Sequence, residues 1–466
     1  MKSLDRRDLL RLGAFGSLGA MTGRLAALCN PSAAFDAAAV PTYRKALVVF
    51  LRGANDGVNT IIPSGDATAY RAQRFLAGTG GVWIDPAPLR FVPGSTYAKI
   101  NPFLHARLLA PINNGHVAFL HAMGTDNPSR SHFEEMDKLE QADETPGAKE
   151  GFVARLLDHV GSSSAVRGVS IASHMQRMFR SGDAGRITTH VRSVASYEFG
   201  APVPYQRVRG NPTNNAGLWG CSAVVNPADD IDVLIRTTAT RMMEAEADIA
   251  NVRAWLATNH QPANYPTDAS QVPAGAPAAL NNGQSFKFMR ELEEAKSMLL
   301  RTDCRVAGVD FGGFDTHNGQ LPQHESLMQV LGWGLNSVYQ DTVNVANNEV
   351  LILVVTEFGR TNAVNNSDGT DHGVGALCMA IGVNVRPGVY NCAANPNSFG
   401  EAWTTLGHNM TGIYENAVPT KTHFQTMIAE VCQRHFGLTA PQTDIVVPGF
   451  SGHAPTGIYR QLGFLL

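Results

Sequence analysis

Cysteine is scarce and poorly spaced. The 466 residues contain 6 cysteines. With Cys29 set aside in an amino-terminal leader, Cys221, Cys304, Cys378, Cys392 and Cys432 remain, far apart, odd in number and without a Cys-x-x-Cys pair. A disulfide scaffold is thereby excluded, though one bridge is possible in an oxidising compartment, with Cys378 and Cys392 the closest pair in sequence. A surplus of either charge is also missing: 37 basic residues face 40 acidic ones, for a net charge of -3. Such a balance leaves no nucleic-acid footprint, and any ion site must be local. Past the leader no apolar run approaches the ~18 to 20 residues that span a bilayer, so no stable membrane anchor is expected. No internal repeat is present. What the chain does have is apolar material, 44% of it, ample for one large or two ordinary domains.

The first 39 residues read as a targeting segment. Leu4-Asp5-Arg6-Arg7-Asp8-Leu9-Leu10 resembles a twin-arginine export signal, followed by a modestly apolar stretch and small residues through Ala39. A short amphipathic helix is the plainer reading, but paired arginines, apolar stretch and Ala-rich tail come in the order an export signal requires. Cleavage between Ala34 and Ala39 would leave a mature chain starting near Val40, delivered by the twin-arginine transporter to the periplasm or beyond. Leu28 before Cys29 is too large for a lipoprotein signal.

From residue 40 to 466 the pattern is strand, loop, helix, repeated. Ala46 to Leu51, Val117 to Ala122, Val166 to Ala172, Val306 to Val309, Val350 to Val355 and Ala376 to Gly382 are short apolar runs suited to strands buried on both faces. Helical spacing is expected at 101–112, from Met136 through Leu139, at 152–160, 229–260, 286–300, from His324 through Val338 and at 422–436. A loop-rich insertion is expected around 181–283, with 262–283, rich in Pro, Ala, Asn and Gly, as its most flexible part. The predicted fold is α/β, a doubly wound, mostly parallel sheet flanked by helices.

In such sheets ligands sit outside the carboxyl ends of the strands. The groups that fall there are Asp56 after the first strand, Ser131 at the start of a helix, Asp315 and His317 after Val309, Glu357 after Val355, and Asp371 with His372 at the end of a polar loop. Four carboxylates in one crevice would raise one another's pKa values unless cations sat among them. With two histidines, the set suits one or two borderline divalent ions such as Zn2+ or Mn2+ rather than calcium. The bland readings are an Asp-Gly turn at Asp56, a capping box at Ser131 and Glu134, and separate turn motifs at Asp315-Thr316-His317 and Asp371-His372-Gly373. His324 reads either as a site residue or as a satisfied helix histidine.

Several ordered motifs carry a family resemblance. They are Leu-Arg-Gly-x-Asn-Asp-Gly-x-Asn-Thr from Leu51, Arg-Ser-His-Phe from Arg130, Gly-Gly-Phe-Asp-Thr-His from Gly312, Thr-Glu-Phe-Gly-Arg-Thr from Thr356 and Gly-Thr-Asp-His-Gly from Gly369. Together with the arginine pair they resemble the DUF1501 family of exported bacterial proteins, grouped with the alkaline phosphatase and sulfatase superfamily. The resemblance implies an alkaline phosphatase-like fold, Ser131 at the nucleophile position, and metal ligands drawn from Asp56, Asp315, His317, Glu357, Asp371 and His372. It departs from better-known members in having Glu357-Phe358 where Asp-His is usual, and it lacks a Cys-x-Pro-x-Arg signature for a formylglycine nucleophile. Two functions follow as expectations. One is a metal-dependent hydrolase of phosphate or sulfate esters, with Arg52, Arg130 or Arg360 holding the anionic oxygens. The other is a non-catalytic envelope protein that binds or assembles while keeping the fold.

Overall fold

Strands β1 (Lys45–Leu51) and β8 (Val350–Thr356) run side by side in parallel from Lys45 opposite Val350 to Leu51 opposite Thr356, every residue of both buried. They form the centre of a nine-stranded sheet in the computed structural model, which describes residues 44–145, 147, 150–160, 164, 166–181, 188–195, 230–344, 349–391, 417–454 and 457–466. The leader, Cys221, Cys392 and most of the stretch read as loops between 181 and 226 lie outside the described residues. Residues Thr42–Leu466 form one compact unit.

The remaining sheet strands are β4 (Val117–Gly124), β5 (Gly168–Ile171), β6 (Thr189–Val191), β7 (Val306–Phe311), β9 (Ala376–Ile381), β10 (Gly388–Tyr390) and β11 (Thr422–His423), while β2 (Ile61–Pro63) and β3 (Ala98–Ile100) pair separately. The order is β10-β4-β9-β8-β1-β7-β5-β6, with β11 beside β4. Every pairing in this sheet is parallel except those of β9, which runs against both β4 and β8. The fold is therefore α/β with a mixed, mostly parallel sheet. β6, β10 and β11 are two or three residues long, too short for an alternating or continuous apolar pattern to mark them.

Alternation along β1 divides the core into two layers. Leu47, Val49 and Leu51 share one apolar cluster with Phe288 and Leu292 of α5 (Gly283–Arg301) and Met328 and Leu331 of α6 (Gln320–Asp341). Ala46, Val48 and Phe50 share the other with Leu139 of α3 (His132–Gln141) and Phe424 and Met427 of α7 (Phe424–Glu430). Both sheet faces are covered by helices, which is why the strands read as continuous apolar runs. Labels α1, α2 and α4 denote Gly57–Thr60, Ala67–Arg74 and Asp230–Asn259.

Three helical expectations change in detail. Residues 101–112 form two short helices, Pro102–His105, capped by Asn101, and Leu109–Asn113, which takes Pro111 in its first turn, where a missing N–H costs nothing. The terminal helix passes after Glu430 into a π-helical turn, Val431–His435. The Pro- and Gly-rich stretch at 262–283 packs rather than hanging free: Tyr265 and Leu280 are buried, Tyr265 donates from its hydroxyl to Asp341 at 2.9 Å, and Trp333 Nε1 donates to the Asn264 carbonyl at 3.0 Å. Cys304, Cys378 and Cys432 are buried free thiols, each pushed up to about 12 by burial. Cys378 is thus unpaired in its strand.

Two buried histidines set an acid limit on the fold. His435 donates from Nε2 to the Lys45 carbonyl at 2.9 Å, His324 lies beside Asn55 at 3.2 Å, and burial lowers both to about 4. Their unfolded value is near 6.5, so the unfolded chain takes up protons first as pH falls. Stability is full above pH 6.5 and is lost down to about pH 4, by up to about 3 kcal/mol for each group. Urea unfolding at pH 7 and pH 4.5 should show this loss, and His435→Gln, which keeps an N–H for the carbonyl, should reduce it. An unaltered pH dependence in that variant would exclude His435.

Candidate metal centre

The carboxyl ends of β7, β1 and β8 lie adjacent along one edge of the sheet, and the chain leaves each through a loop rich in glycine and polar residues. Glu357 follows β8 directly and is buried. Its Oε1 accepts from the Gly53 N–H at 2.9 Å, and Oε2 accepts from Thr356 Oγ1 at 3.0 Å. Gly53, with φ +113°, allows this approach, since a Cβ there would lie 2.4 Å from the Asp315 nitrogen.

Glu357 Oε1 also meets His132 Nδ1 at 2.7 Å. His132 is the first residue of α3, and its Nε2 lies 3.0 Å from Nε2 of His372 and 3.5 Å from Asp315 Oδ2. His317 repeats the pattern: Nδ1 is 2.9 Å from Asp371 Oδ1, and Nε2 is 3.0 Å from both His372 Nε2 and Asp315 Oδ1. His372 completes it by donating from Nδ1 to the Arg130 carbonyl at 2.9 Å. A carbonyl only accepts, so that proton sits on Nδ1 and the Nε2 lone pair faces inward.

Each imidazole therefore has Nδ1 fixed by an oxygen acceptor and Nε2 turned toward the other two groups. Lone pairs 3.0 Å apart repel unless a proton or a metal ion lies between them. The ligand atoms of His132, Asp315 and His372 all fall within 4.8 Å of one another, the one such set among the described residues. Two imidazole nitrogens and a carboxylate fit Zn2+ or Mn2+, and the anchored Nδ1 atoms are the outer contacts that such ligands ordinarily have. His317 stands at the margin, 42% exposed, with Asp315 46% exposed, so one side of the cluster opens to solvent.

Charge follows geometry. The Glu357 hydrogen bond, opposed by burial and aided by the Glu357 and Asp315 charges, holds His132 above its ordinary value. Burial, with the nearby His132 and Arg360 charges, holds His372 below its own. Burial works to raise Asp315, but the Arg360 hydrogen bond and charge, with His317 and His132, keep it net below the ordinary carboxylate range. Burial opposes, and His317 and Asn365 overcome, the same shift at Asp371.

The other residues singled out from the sequence are placed as follows. Asp56 is not brought to the cluster. It is fully buried, caps α1 through the Val58 and Asn59 amides, pairs with Arg74 and accepts from Gln320. Arg52 pairs with Glu140 at 2.6 Å and Asp310 at 3.0 Å. Arg360 is buried, donates to Asp315 Oδ1 at 2.7 Å and holds the Thr370 carbonyl. Arg130, at φ +60°, donates to the His372 carbonyl, so the two residues clasp each other's backbones. Ser131 is the N-cap residue of α3, yet its side chain makes no capping hydrogen bond. The expected capping box is absent because Glu134 turns to Lys138 at 3.4 Å, while Glu135 binds Thr125 and Ser129. His324 is a buried helix histidine away from the cluster.

Sequence reasoning did not place His132 among the groups that converge here. The available signal was its place in Arg-Ser-His-Phe at a helix start.

Residues 236–447 match the family model DUF1501, Protein of unknown function (DUF1501). The span carries Asp315, His317, Glu357, Arg360, Asp371 and His372, whereas Asp56, Arg130, Ser131 and His132 precede it. No curated protein matches the chain.

Proposed function

We propose that the chain is an exported, metal-dependent hydrolase of phosphate or sulfate esters. The observation that carries this reading is the convergence of three histidine Nε2 atoms and the Asp315 carboxylate on the solvent-facing side of the sheet's carboxyl edge. A site that only braced the fold would enclose its ion in protein ligands; this one is half open.

His132, His372 and Asp315 would hold one Zn2+ or Mn2+, with His317 beside it. When bound, the ion supplies Lewis-acid polarisation of the ester and lowers the pKa of an oxygen nucleophile. Glu357, Asp371 and the Arg130 carbonyl orient the imidazoles. Arg360 holds Asp315 ionised. Ser131 offers an uncapped hydroxyl at the amino terminus of a ten-residue helix, where partial positive charge favours an anion. Its Oγ bonds to phosphorus or sulfur as the ester bond to the alcohol breaks, and the alcohol leaves with the proton Ser131 gives up. Water then cleaves the seryl ester, releasing the inorganic anion and restoring the hydroxyl.

Export rests on the arginine pair, and a chain folded before transport would carry its ion with it. No helix among the described residues is long and apolar enough to cross a membrane. A second reading, an envelope binding protein that keeps the ion without turnover, draws on Arg52, Arg130 and Arg360 all being engaged by protein groups.

The test is hydrolysis of aryl phosphate and aryl sulfate by purified mature protein, before and after chelation and after return of Zn2+ or Mn2+. Activity that is lost on chelation and restored by the ion is the expected result. Stoichiometric metal without turnover of either ester would leave the second reading.

A further inference from the structure

We infer that Gln320 is the positioning residue that sets the spacing of the two ligand-bearing loops, using Asp56 as its fixed support; this rests on the metal site proposed above. Gln320 opens α6 and is fully buried. Its Oε1 accepts from Thr316 Oγ1 at 3.0 Å and from Thr370 Oγ1 at 2.5 Å, and its Nε2 donates to Asp56 Oδ2 at 2.5 Å. Thr316 lies between Asp315 and His317, and Thr370 directly precedes Asp371 and His372. One side chain thus joins the loop after β7, the loop after β8 and the loop after β1.

The rest of the network makes the support rigid. Asp56 is fixed by Arg74 and by two α1 amides, at 3.1 and 3.2 Å. Arg74 Nη2 reaches on to the Thr361 carbonyl at 3.1 Å, in the strip that leads from Arg360. The two ligand loops also touch directly, the Thr370 amide donating to the Thr316 carbonyl at 3.2 Å, and a Cβ on Gly369 would lie 2.2 Å from the His317 carbonyl carbon. At that contact distance a small displacement of either loop moves His372 against Asp315.

The hub needs an amide. It must donate to a carboxylate and accept from two hydroxyls at once, which neither a carboxylate nor an apolar side chain of that length can do. Gln320→Glu could still accept from both threonines, but it would set a second negative charge against Asp56. Gln320→Met would keep the length and lose all three bonds. Asp56, which the sequence places among the ligand candidates, acts in this account through Gln320.

The experiment titrates Zn2+ into wild type and both Gln320 variants, records the visible spectrum of their Co2+ forms, and measures thermal unfolding in chelator. Both variants should unfold cooperatively in chelator, bind Zn2+ about 10-fold or more weakly, as loss of outer contacts to metal ligands does, and show altered Co2+ bands. Thr316→Val, which keeps the shape and removes one hydroxyl, should shift the same bands less, and it decides the matter if the Gln320 variants fail to fold. Wild-type affinity and an unchanged Co2+ spectrum in the folded variants would overturn the inference while leaving the metal site standing. Absence of Zn2+ binding by the wild type would overturn both.

Discussion

Replacing His132 by alanine is expected to leave a folded protein whose affinity for Zn2+ falls by more than about 100-fold, beyond the ~10- to 100-fold that outer contacts to a metal ligand are worth. The ring supplies one of the inward nitrogens, and alanine at the first position of α3 disturbs nothing the helix needs, since the ring is held by Glu357 and not by the helix backbone. Glu357→Gln separates ligand from orienter. The amide oxygen can still accept from His132 Nδ1, so the affinity loss should be smaller, about 10-fold to 100-fold. Asp371→Asn should cost less again, because its partner His317 stands at the exposed margin of the cluster. Cys378→Ser, buried in β9, should bind as wild type does. Competition titration against a chromophoric chelator gives each value on the apoprotein. Equal losses for His132→Ala and Glu357→Gln would make Glu357 a ligand in its own right, and no loss for His132→Ala would remove it from the set.

How much of this was legible in the sequence follows from what each residue does. The centre of the sheet was legible because β1 and β8 are buried throughout and β7 at all but Asp310, and strands covered on both faces favour continuous apolar runs. The antiparallel sense of β9 was not, since direction leaves no mark on a six-residue apolar string. Asp315, His317, Glu357, Asp371 and His372 could be found because each is polar at a place where an apolar strand has just ended or a loop returns. His132 was hidden by its helix: after Ser131 it reads as an ordinary first-turn residue, and only the fold brings Glu357 to its Nδ1. Asp56 shows the converse. Its position after the first strand is the same as a ligand's, and what sets it apart is Arg74, 18 residues later in a segment with no apolar pattern pointing to a buried ion pair. The partners of the three arginines were hidden for the same reason, because a guanidinium beside a loop says nothing about which acid or carbonyl will meet it.

Ser131→Ala should lower ester hydrolysis by about 10^3-fold or more while changing stability by less than about 0.5 kcal/mol. The two effects ordinarily confuse each other at a helix start, where removing a capping hydroxyl costs about 0.5 to 2 kcal/mol. Here they come apart, because the Ser131 side chain makes no capping bond and the first turn of α3 is secured elsewhere, by Glu135 reaching back to Thr125 and Ser129 and by the Glu135 amide on the Ser131 carbonyl at 3.0 Å. Alanine keeps that carbonyl and the extended backbone at φ -96°, ψ 123°. It removes only Oγ, the atom proposed to bond to the ester's phosphorus or sulfur. Zn2+ affinity should stay at the wild-type value, since the ligand atoms belong to His132, His372 and Asp315. A covalent phospho- or sulfo-enzyme trapped by acid quench should appear in wild type, carry its label on the peptide containing Ser131, and be missing from the variant. Stability, metal content and hydrolysis are measured on the same metal-loaded preparations so that a fall in rate cannot come from lost protein or lost ion. Undiminished hydrolysis by the folded, metal-loaded variant would remove Ser131 from the reaction. It would also pass the attacking role to a water molecule at the open side of the cluster, where Asp315 and His317 face solvent.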